Sequence, residues 1–107
     1  MVGSRNPSIN GKENAWRFAY DLARNNMTII SGLALGVDAQ AHLGCLKAGG
    51  RTIGVMATGI DSIYPARHKK LAEEITEQGL LLTEFPLGTP PTAGLFPRRN
   101  LIISGLS

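Results

Sequence analysis

The sequence predicts an α/β domain in which a mainly parallel sheet is covered by helices on both faces, giving three layers. Short runs of β-branched and aliphatic residues alternate along the chain with longer segments whose apolar residues recur at the spacing of one helix face. These helical segments also supply the crossovers that parallel neighbouring strands require. With 107 residues, the chain fits one domain or a part of one, and not two.

The first half of the chain predicts two helices, each next to a strand. Asn10 and Glu13 resemble a capping box, so we expect a helix to begin there. The face that this helix is expected to bury consists of Ala15, Phe18, Ala19, Leu22 and Ala23. A strand over 28–31 follows, and a second helix from Val37 ends at the pair Gly49–Gly50, a common helix C-terminal signal.

The second half predicts two further strands, over 52–56 and 80–83, with a helix over 66–78 between them. That helix is expected to turn Leu71, Ala72 and Ile75 toward the sheet. A last helix is predicted to start near Phe96. We expect the sheet to be incomplete at both ends of the chain, because little sequence precedes the first glycine and the chain stops within the last helix.

Composition narrows the class of protein. The net charge of +3 suits an anionic partner, and an aromatic content of 6% is too low for a platform of many rings that stack on bases. The single cysteine, Cys45, excludes a disulfide framework and favours a reducing cytoplasm. No apolar run approaches the roughly 20 residues of a membrane span, so we expect no membrane association.

The segments that follow the predicted strands are rich in glycine. They comprise Gly3, Ser4 and Arg5, then Ser31, Gly32, Leu33, Ala34, Leu35 and Gly36, then 57–61, and then 84–86. Ligands bind at the carboxyl ends of parallel strands, where glycine lets backbone N–H groups and helix N-termini close on a phosphate. The alternative is that each glycine serves only a tight turn. Neither the dinucleotide nor the P-loop glycine spacing is present, which disfavours a dehydrogenase or an NTPase.

Two groups of basic residues suit the same site. Arg5 follows the first glycine and can grip a phosphate with two parallel hydrogen bonds. Near the other end of the chain, Phe96, Arg98, Arg99 and Asn100 place a ring, two guanidiniums and an amide at a helix start. The alternative is that Phe96 belongs to the core and that Arg98 is simply solvated.

Asp38 and His42 lie four residues apart on the second predicted helix, close enough to share one face. They could act as a general acid and base, or bind a metal together with Cys45, which is one turn further on. We favour a structural role that holds a loop rigid, because no serine or second carboxylate is paired with them. We therefore expect no catalytic residue, no metal and no cofactor.

In order along the chain, these motifs resemble those of the DNA-processing protein A family, also called DprA or Smf. The resemblance rests on Gly3-Ser4-Arg5, Ser31 to Asp38 with Ala41-His42, Gly50 to Ile53, Gly59-Ile60-Asp61 with Tyr64-Pro65, Thr83 to Pro86, Phe96-Pro97 with Arg99-Asn100, and 102–107. It covers essentially the whole chain. It implies that residues 1–107 are the N-terminal part of a Rossmann-like DNA-binding domain.

The resemblance also implies a function. Family members bind single-stranded DNA that enters the bacterial cytoplasm during natural transformation, protect it, and assist loading of the RecA recombinase in homologous recombination. The family's DNA pocket would correspond to Gly3, Ser4, Arg5, Ser31, Gly32, Leu33, Ala34, Gly36, Phe96, Arg99 and Asn100. Asp38, His42 and Arg98 would support it. The full-length protein would be a homodimer and not an enzyme.

This chain departs from the family pattern at Leu101, where family members usually carry arginine. The alternative function is a nucleotide-binding or nucleotide-hydrolysing enzyme related to the phosphoribohydrolases that activate cytokinins. That group uses a P-G-G-x-G-T-x-x-E loop, which this sequence lacks.

Overall fold

The computed structural model describes residues 1, 3, 5–59, 68–85, 88–91 and 95–106. Helices and strands alternate in the following order: α1 Ile9–Arg24, β1 Ile29–Ser31, α2 Val37–Lys47, β2 Thr52–Met56, α3 Lys69–Gln78, β3 Leu80–Thr83 and α4 Leu95–Leu106. The predicted α/β class is confirmed, and the strands lie within one residue of their predicted bounds.

The three described strands form one parallel sheet in the order β1-β2-β3. Ile29 pairs with Thr52, and Ile53 pairs with Leu80. The crossovers from β1 to β2 and from β2 to β3 contain α2 and α3, as parallel neighbours require. All three carboxyl ends therefore lie at the same edge of the sheet, and the segments that follow them share that edge.

Helices cover both faces of the sheet. On one face, Met56 packs with Leu33 and with Leu71, Ala72 and Ile75 of α3. On the other face, the apolar side chains form a separate cluster that includes Ile30, Val55, Leu82 and Ile103. The last of these belongs to α4, so α4 lies alone against this face among the described helices. The predicted three-layer arrangement follows from this alternation.

α1 packs on α2 through small residues. Ala19, Ala23, Ala41 and Cys45 are buried together. Gly44 lets the helix backbones approach so closely that a Cβ at this position would overlap the carbonyl of Trp16. This contact places α1 outside α2 and fixes the position of α2, whose first turn carries site residues.

Two predictions about α1 are wrong. The helix begins at Ile9, because the Ser8 hydroxyl caps it by accepting from the N–H of Gly11 at 3.0 Å. The proposed Asn10–Glu13 box therefore lies inside the helix. Phe18 is 58% exposed, since the buried stripe follows alanines at a spacing of four residues. No helix in the described part of the chain is long and apolar enough to cross a bilayer.

Candidate nucleic-acid interface

The segment 32–36, which we call the glycine loop, joins β1 to α2 at the carboxyl edge of the sheet. Its first N–H, that of Gly32, donates to Oδ2 of Asp38 at 2.8 Å. The Ser31 hydroxyl and the N–H of Gly3 also hydrogen-bond to this carboxyl group. Burial raises the pKa of Asp38, while these hydrogen bonds and the charge of Arg99 act in the opposite direction. A buried carboxyl group thus joins three segments of the chain.

His42 contacts the carbonyl of the same residue, Gly32. Its Nε2 lies 2.8 Å from the Gly32 carbonyl, and its Nδ1 lies 2.7 Å from the Thr52 hydroxyl. Because a carbonyl can only accept, Nε2 carries the proton and donates to Gly32. The Thr52 hydroxyl donates to the carbonyl of Ile29 at 2.8 Å. Burial of the whole ring lowers the pKa of His42 to about 4, so it is neutral at pH 7. Asp38 and His42 therefore hydrogen-bond to Gly32 rather than to each other.

A second imidazole contacts the next peptide of the glycine loop. Nδ1 of His68, the residue just before α3, lies 2.6 Å from the Leu33 carbonyl. The sequence analysis missed this residue. No periodicity or motif links positions 33 and 68, and only the packing of α3 over the sheet brings them together.

The N-terminal segment begins on the far side of β1 from β2. There the amino group of Met1 donates to the carbonyl of Ile30, at the edge of β1 that β2 does not occupy. Gly3 touches α2 so closely that a Cβ would lie 2.9 Å from the side chain of Val37. Arg5 is exposed, and its guanidinium carbon lies 5.0 Å from the centre of the Phe96 ring.

Arg99 reaches the same ring from α4. Its guanidinium carbon lies 5.6 Å from the centre of Phe96, while its Nη1 donates to the carbonyl of Val55 at 3.0 Å. Nε donates to Asn100 at 2.9 Å. A Cβ at Gly32 would overlap this guanidinium, so a side chain there would have to displace the end of Arg99. Burial lowers the pKa of Arg99; Asp38 opposes that shift and Arg5 adds to it.

Arg99 is only 4% exposed. The structure therefore places it behind the glycine loop, with its guanidinium against Gly32. Leu33 is also in the core, at 1% exposed. Only its backbone can meet a ligand.

The predicted site residues thus fall into two groups. Those that the structure brings together around the glycine loop are Gly3, Arg5, Ser31, Gly32, Leu33, Ala34, Gly36, Asp38, His42, Phe96, Arg99 and Asn100. Arg98 contacts the segment after β3 instead, where it forms an ion pair with Glu84 at 2.8 Å and faces the ring of Phe85. Ser4, Tyr64 and Pro65 lie outside the described residues. Leu101 is 73% exposed on α4.

The three side chains considered as a metal site each have another hydrogen-bond partner. Cys45 contacts the carbonyl of Arg51 at 3.1 Å, and Asp38 and His42 hold Gly32. Neither ring nitrogen of His42 is free to bind a cation. Among the described residues, no group of three or more His, Cys, Asp or Glu side chains is placed to hold one.

A cavity of about 450 Å³ lies at the opposite edge of the sheet. Arg24 and Arg51 line it, but the N–H groups of Asn26, Gly49 and Gly50 already donate to the last turns of α1 and α2. The helix ends here are C-termini, which carry partial negative charge. An anion is therefore favoured at the carboxyl edge, where the N-terminus of α2 begins.

Comparison with known proteins identifies a family. The family model described as DNA recombination-mediator protein A matches residues 1–107. The chain is 47% identical to Protein Smf of Synechocystis sp. and 48% identical to Protein Smf of Escherichia coli, covering 100% of this chain but 27% and 29% of those proteins. It is 44% identical to DNA processing protein DprA of Bacillus subtilis, covering 36% of that protein. The chain thus spans about a third of these relatives.

Comparison with solved structures identifies the same family. The chain superposes on DNA processing protein A of Streptococcus pneumoniae with a TM-score of 0.87 and 39% identity, over 98% of this chain and 37% of that one. DNA processing protein A of Helicobacter pylori, described for its unique single-stranded DNA binding mode, matches with a TM-score of 0.90 and 36% identity, over 99% of this chain and 48% of that one. The fold is therefore that of their Rossmann-like domains, and the chain belongs to the DprA/Smf family of DNA recombination-mediator proteins.

Proposed function

We propose that this chain binds single-stranded DNA through the carboxyl edge of its sheet, with the glycine loop and Arg5 holding backbone phosphates. The observation that carries the proposal is the convergence of Arg5 and Arg99 on one ring, that of Phe96, directly beside Gly32. Contacts to phosphates read no sequence, so binding is expected to be indifferent to base order.

The positive charge at this edge of the sheet favours the binding of a polyanion. Burial lowers the pKa of Arg99, and the nearby charge of Arg5 adds to that shift, so the two guanidiniums lie close enough to repel each other. The charge of Asp38 opposes the shift of Arg99. A phosphate beside Arg5 relieves the repulsion between the two guanidiniums.

Phe96 adds a surface for a base. Two guanidiniums lie near its ring, and this half-buried ring beside the exposed Arg5 offers a surface for a base next to a cation for its phosphate. This one ring is consistent with the low aromatic content of the chain.

The proposal includes no catalytic step. The acid–base pair that the sequence offers is committed to the glycine loop, since Asp38 and His42 are buried and hydrogen-bonded to Gly32. Incubation with nucleoside monophosphates, followed by chromatography for free base, tests the phosphoribohydrolase alternative. Release of base would contradict the proposal.

The first prediction concerns Arg5→Ala. Fluorescence anisotropy of a labelled single-stranded oligonucleotide, titrated at two salt concentrations, should show affinity reduced by about tenfold, because a charge-assisted phosphate contact is lost. The slope of log K against log salt should fall by about 0.7, the contribution of one phosphate contact to a single strand.

Arg51→Ala is the matched control, since it removes the same charge from an exposed residue at the amino edge of the sheet. It should leave the salt slope unchanged. Equal effects of the two substitutions would mean that general positive charge, and not this edge, binds the DNA. A duplex of the same sequence should bind more weakly than the single strand.

The remaining functions belong to the full-length protein in this proposal. Residues 1–107 form the N-terminal part of its DNA-binding domain, and the complete chain works as a homodimer in the bacterial cytoplasm. There it protects incoming single strands and assists RecA loading during natural transformation and recombination. The family assignment supports these functions, which we assign to the full-length protein because this chain spans only 27% to 36% of the curated relatives.

A further inference from the structure

His68 stands outside every motif of the sequence, yet it contacts the glycine loop. Its Nδ1 lies 2.6 Å from the carbonyl of Leu33, 35 residues away, in a partly buried setting. His42 contacts the preceding carbonyl, that of Gly32, at 2.8 Å. The two imidazoles therefore contact adjacent peptides of one loop. Two consecutive carbonyls of the loop are therefore each held by a histidine.

Holding a carbonyl fixes the direction of an amide. In a planar trans peptide, the C=O of one residue and the N–H of the next point in opposite directions. The N–H of Leu33 therefore points away from His42, and the N–H of Ala34 points away from His68. Because the carbonyl can only accept, Nδ1 of His68 carries the proton in this contact.

The arrangement of the sheet shows which flank of β1 this amide faces. α3 packs on β2 and β3, so His68 approaches the glycine loop from the β2 side. The N-terminal segment begins on the other flank of β1, where the amino group of Met1 donates to the carbonyl of Ile30. The amide that His68 orients thus points away from β2, toward the flank of β1 on which the segment that carries Arg5 begins.

We propose that His68 is a positioning residue for the anion site, and that its hydrogen bond to Leu33 aims the N–H of Ala34 at the bound phosphate. The inference rests on the proposed function, since it concerns the same glycine loop. His68 itself touches no phosphate in this account. It differs in this respect from Arg5, which meets the ligand directly.

Two substitutions by amide side chains test whether the position of the hydrogen-bond donor matters, and not only its presence. His68→Asn places an N–H donor near the position of Nδ1, whereas His68→Gln places it near Nε2, one bond further out; His68→Ala removes it. We expect the alanine and glutamine variants to bind a labelled single-stranded oligonucleotide on the order of fivefold more weakly, the effect of one hydrogen bond. The asparagine variant should bind within about twofold of the unchanged protein. All three should keep its salt slope, because no phosphate contact is deleted.

The amide of Ala34 provides a second readout. Titration with orthophosphate, followed by ¹⁵N–¹H spectra, should shift this resonance in the unchanged protein and in His68→Asn, and much less in His68→Gln. If His68→Gln binds like the unchanged protein, or if His68→Asn fails to restore binding, the positioning role is wrong. If the Ala34 amide resonance does not shift when phosphate is added, the positioning role is contradicted as well.

These outcomes are distinct from a failure of the proposed function. If the unchanged protein does not bind the oligonucleotide, or if Arg5→Ala binds as well as the unchanged protein, the DNA site is wrong. The orthophosphate titration then still decides whether His68 orients the amide. If Arg5→Ala weakens binding with a reduced salt slope while His68→Ala and His68→Gln do not, only the positioning role fails.

Discussion

Gly32 is the residue on which the site depends most. Its N–H is held by Asp38 and its carbonyl by His42, while the space that a side chain would fill is occupied by the guanidinium of Arg99. Each contact comes from a different turn or element, so the peptide has little freedom left. A loop that is rigid before its ligand arrives loses less entropy on binding.

The buried polar groups around Gly32 are fully satisfied. Among the described residues, no buried side-chain nitrogen or oxygen lacks a hydrogen-bond partner. Burying such groups costs free energy unless they are paired, and removing one partner exposes that cost. Their presence in so small a core is consistent with a role in positioning.

The prediction at this scale is a pH dependence of stability. The pKa of His42 is about 4 in the folded chain, against 6.5 for a free imidazole. Between these values the unfolded chain binds one more proton, so the free energy of unfolding falls as the pH is lowered through this window. The slope is at most about 1.4 kcal/mol per pH unit.

His42→Gln should remove that dependence, because glutamine can still donate to the Gly32 carbonyl but does not titrate. Urea denaturation at pH 7 and pH 4.5 should show the unchanged protein losing roughly 2 kcal/mol more than the variant. The contribution of Asp38 to the pH dependence has the opposite sign, since its raised pKa adds stability as the pH falls. Because Asp38 is present in both proteins, its contribution largely cancels when the two are compared. Equal losses in the two proteins would refute the buried neutral imidazole.

Among the elements, α1 and α2 form the most extensive helix pair, and small residues make it possible. Ala19 and Ala23 of α1 pack with Ala41 and Cys45 of α2, and Gly44 lies against the backbone of Trp16. Close approach of helix axes positions α2, and through it Asp38 and His42. The rigidity of the site is therefore set partly by a contact on the far side of α2.

Gly44→Ala should destabilise the protein by about 1–3 kcal/mol, because the added Cβ overlaps a backbone carbonyl that cannot rotate away. Gly105→Ala is the matched control within α4: a Cβ there meets nothing within 4 Å, and helix propensity alone should add about 0.5–1 kcal/mol of stability. Thermal denaturation of both variants tests this. Similar effects at the two glycines would mean that the helix contact is loose.

Local patterns predicted the elements well wherever apolar spacing and glycine stops agreed. The bounds of β2 and β3 match their prediction, as do the buried residues of α3. The start of α1 was missed because Ser8 and Asn10 are both good capping residues, and backbone geometry alone decides between them. Phe18 was misplaced because an alanine stripe leaves no room for a ring between two close helices.

At the scale of the whole molecule, the two edges of the sheet differ in character. The carboxyl edge gathers the glycine loop, Arg5, Phe96 and the buried charge of Arg99. The amino edge has a cavity and two arginines, but its amides are already used by the ends of α1 and α2. Parallel topology produces this difference, because every crossover returns its helix C-terminus to the amino edge.

The sequence predicted which turns meet at the carboxyl edge, since parallel strands require that. It did not predict that Arg99 would be buried behind Gly32, because an arginine at a helix start is usually solvated. It also assigned Arg98 a supporting role but did not predict its ion pair with Glu84, which directly follows β3. Long-range partners of this kind depend on packing that no local pattern records.

The most direct test of the account is a ¹⁵N–¹H titration of the chain with an unlabelled single-stranded oligonucleotide. The account predicts that the largest shifts occur in the amide resonances of 32–36, Gly3 and Arg5. The amide resonances of 48–51, at the amino edge, should not shift. Shifts centred on 48–51, or spread evenly over both edges, would contradict it.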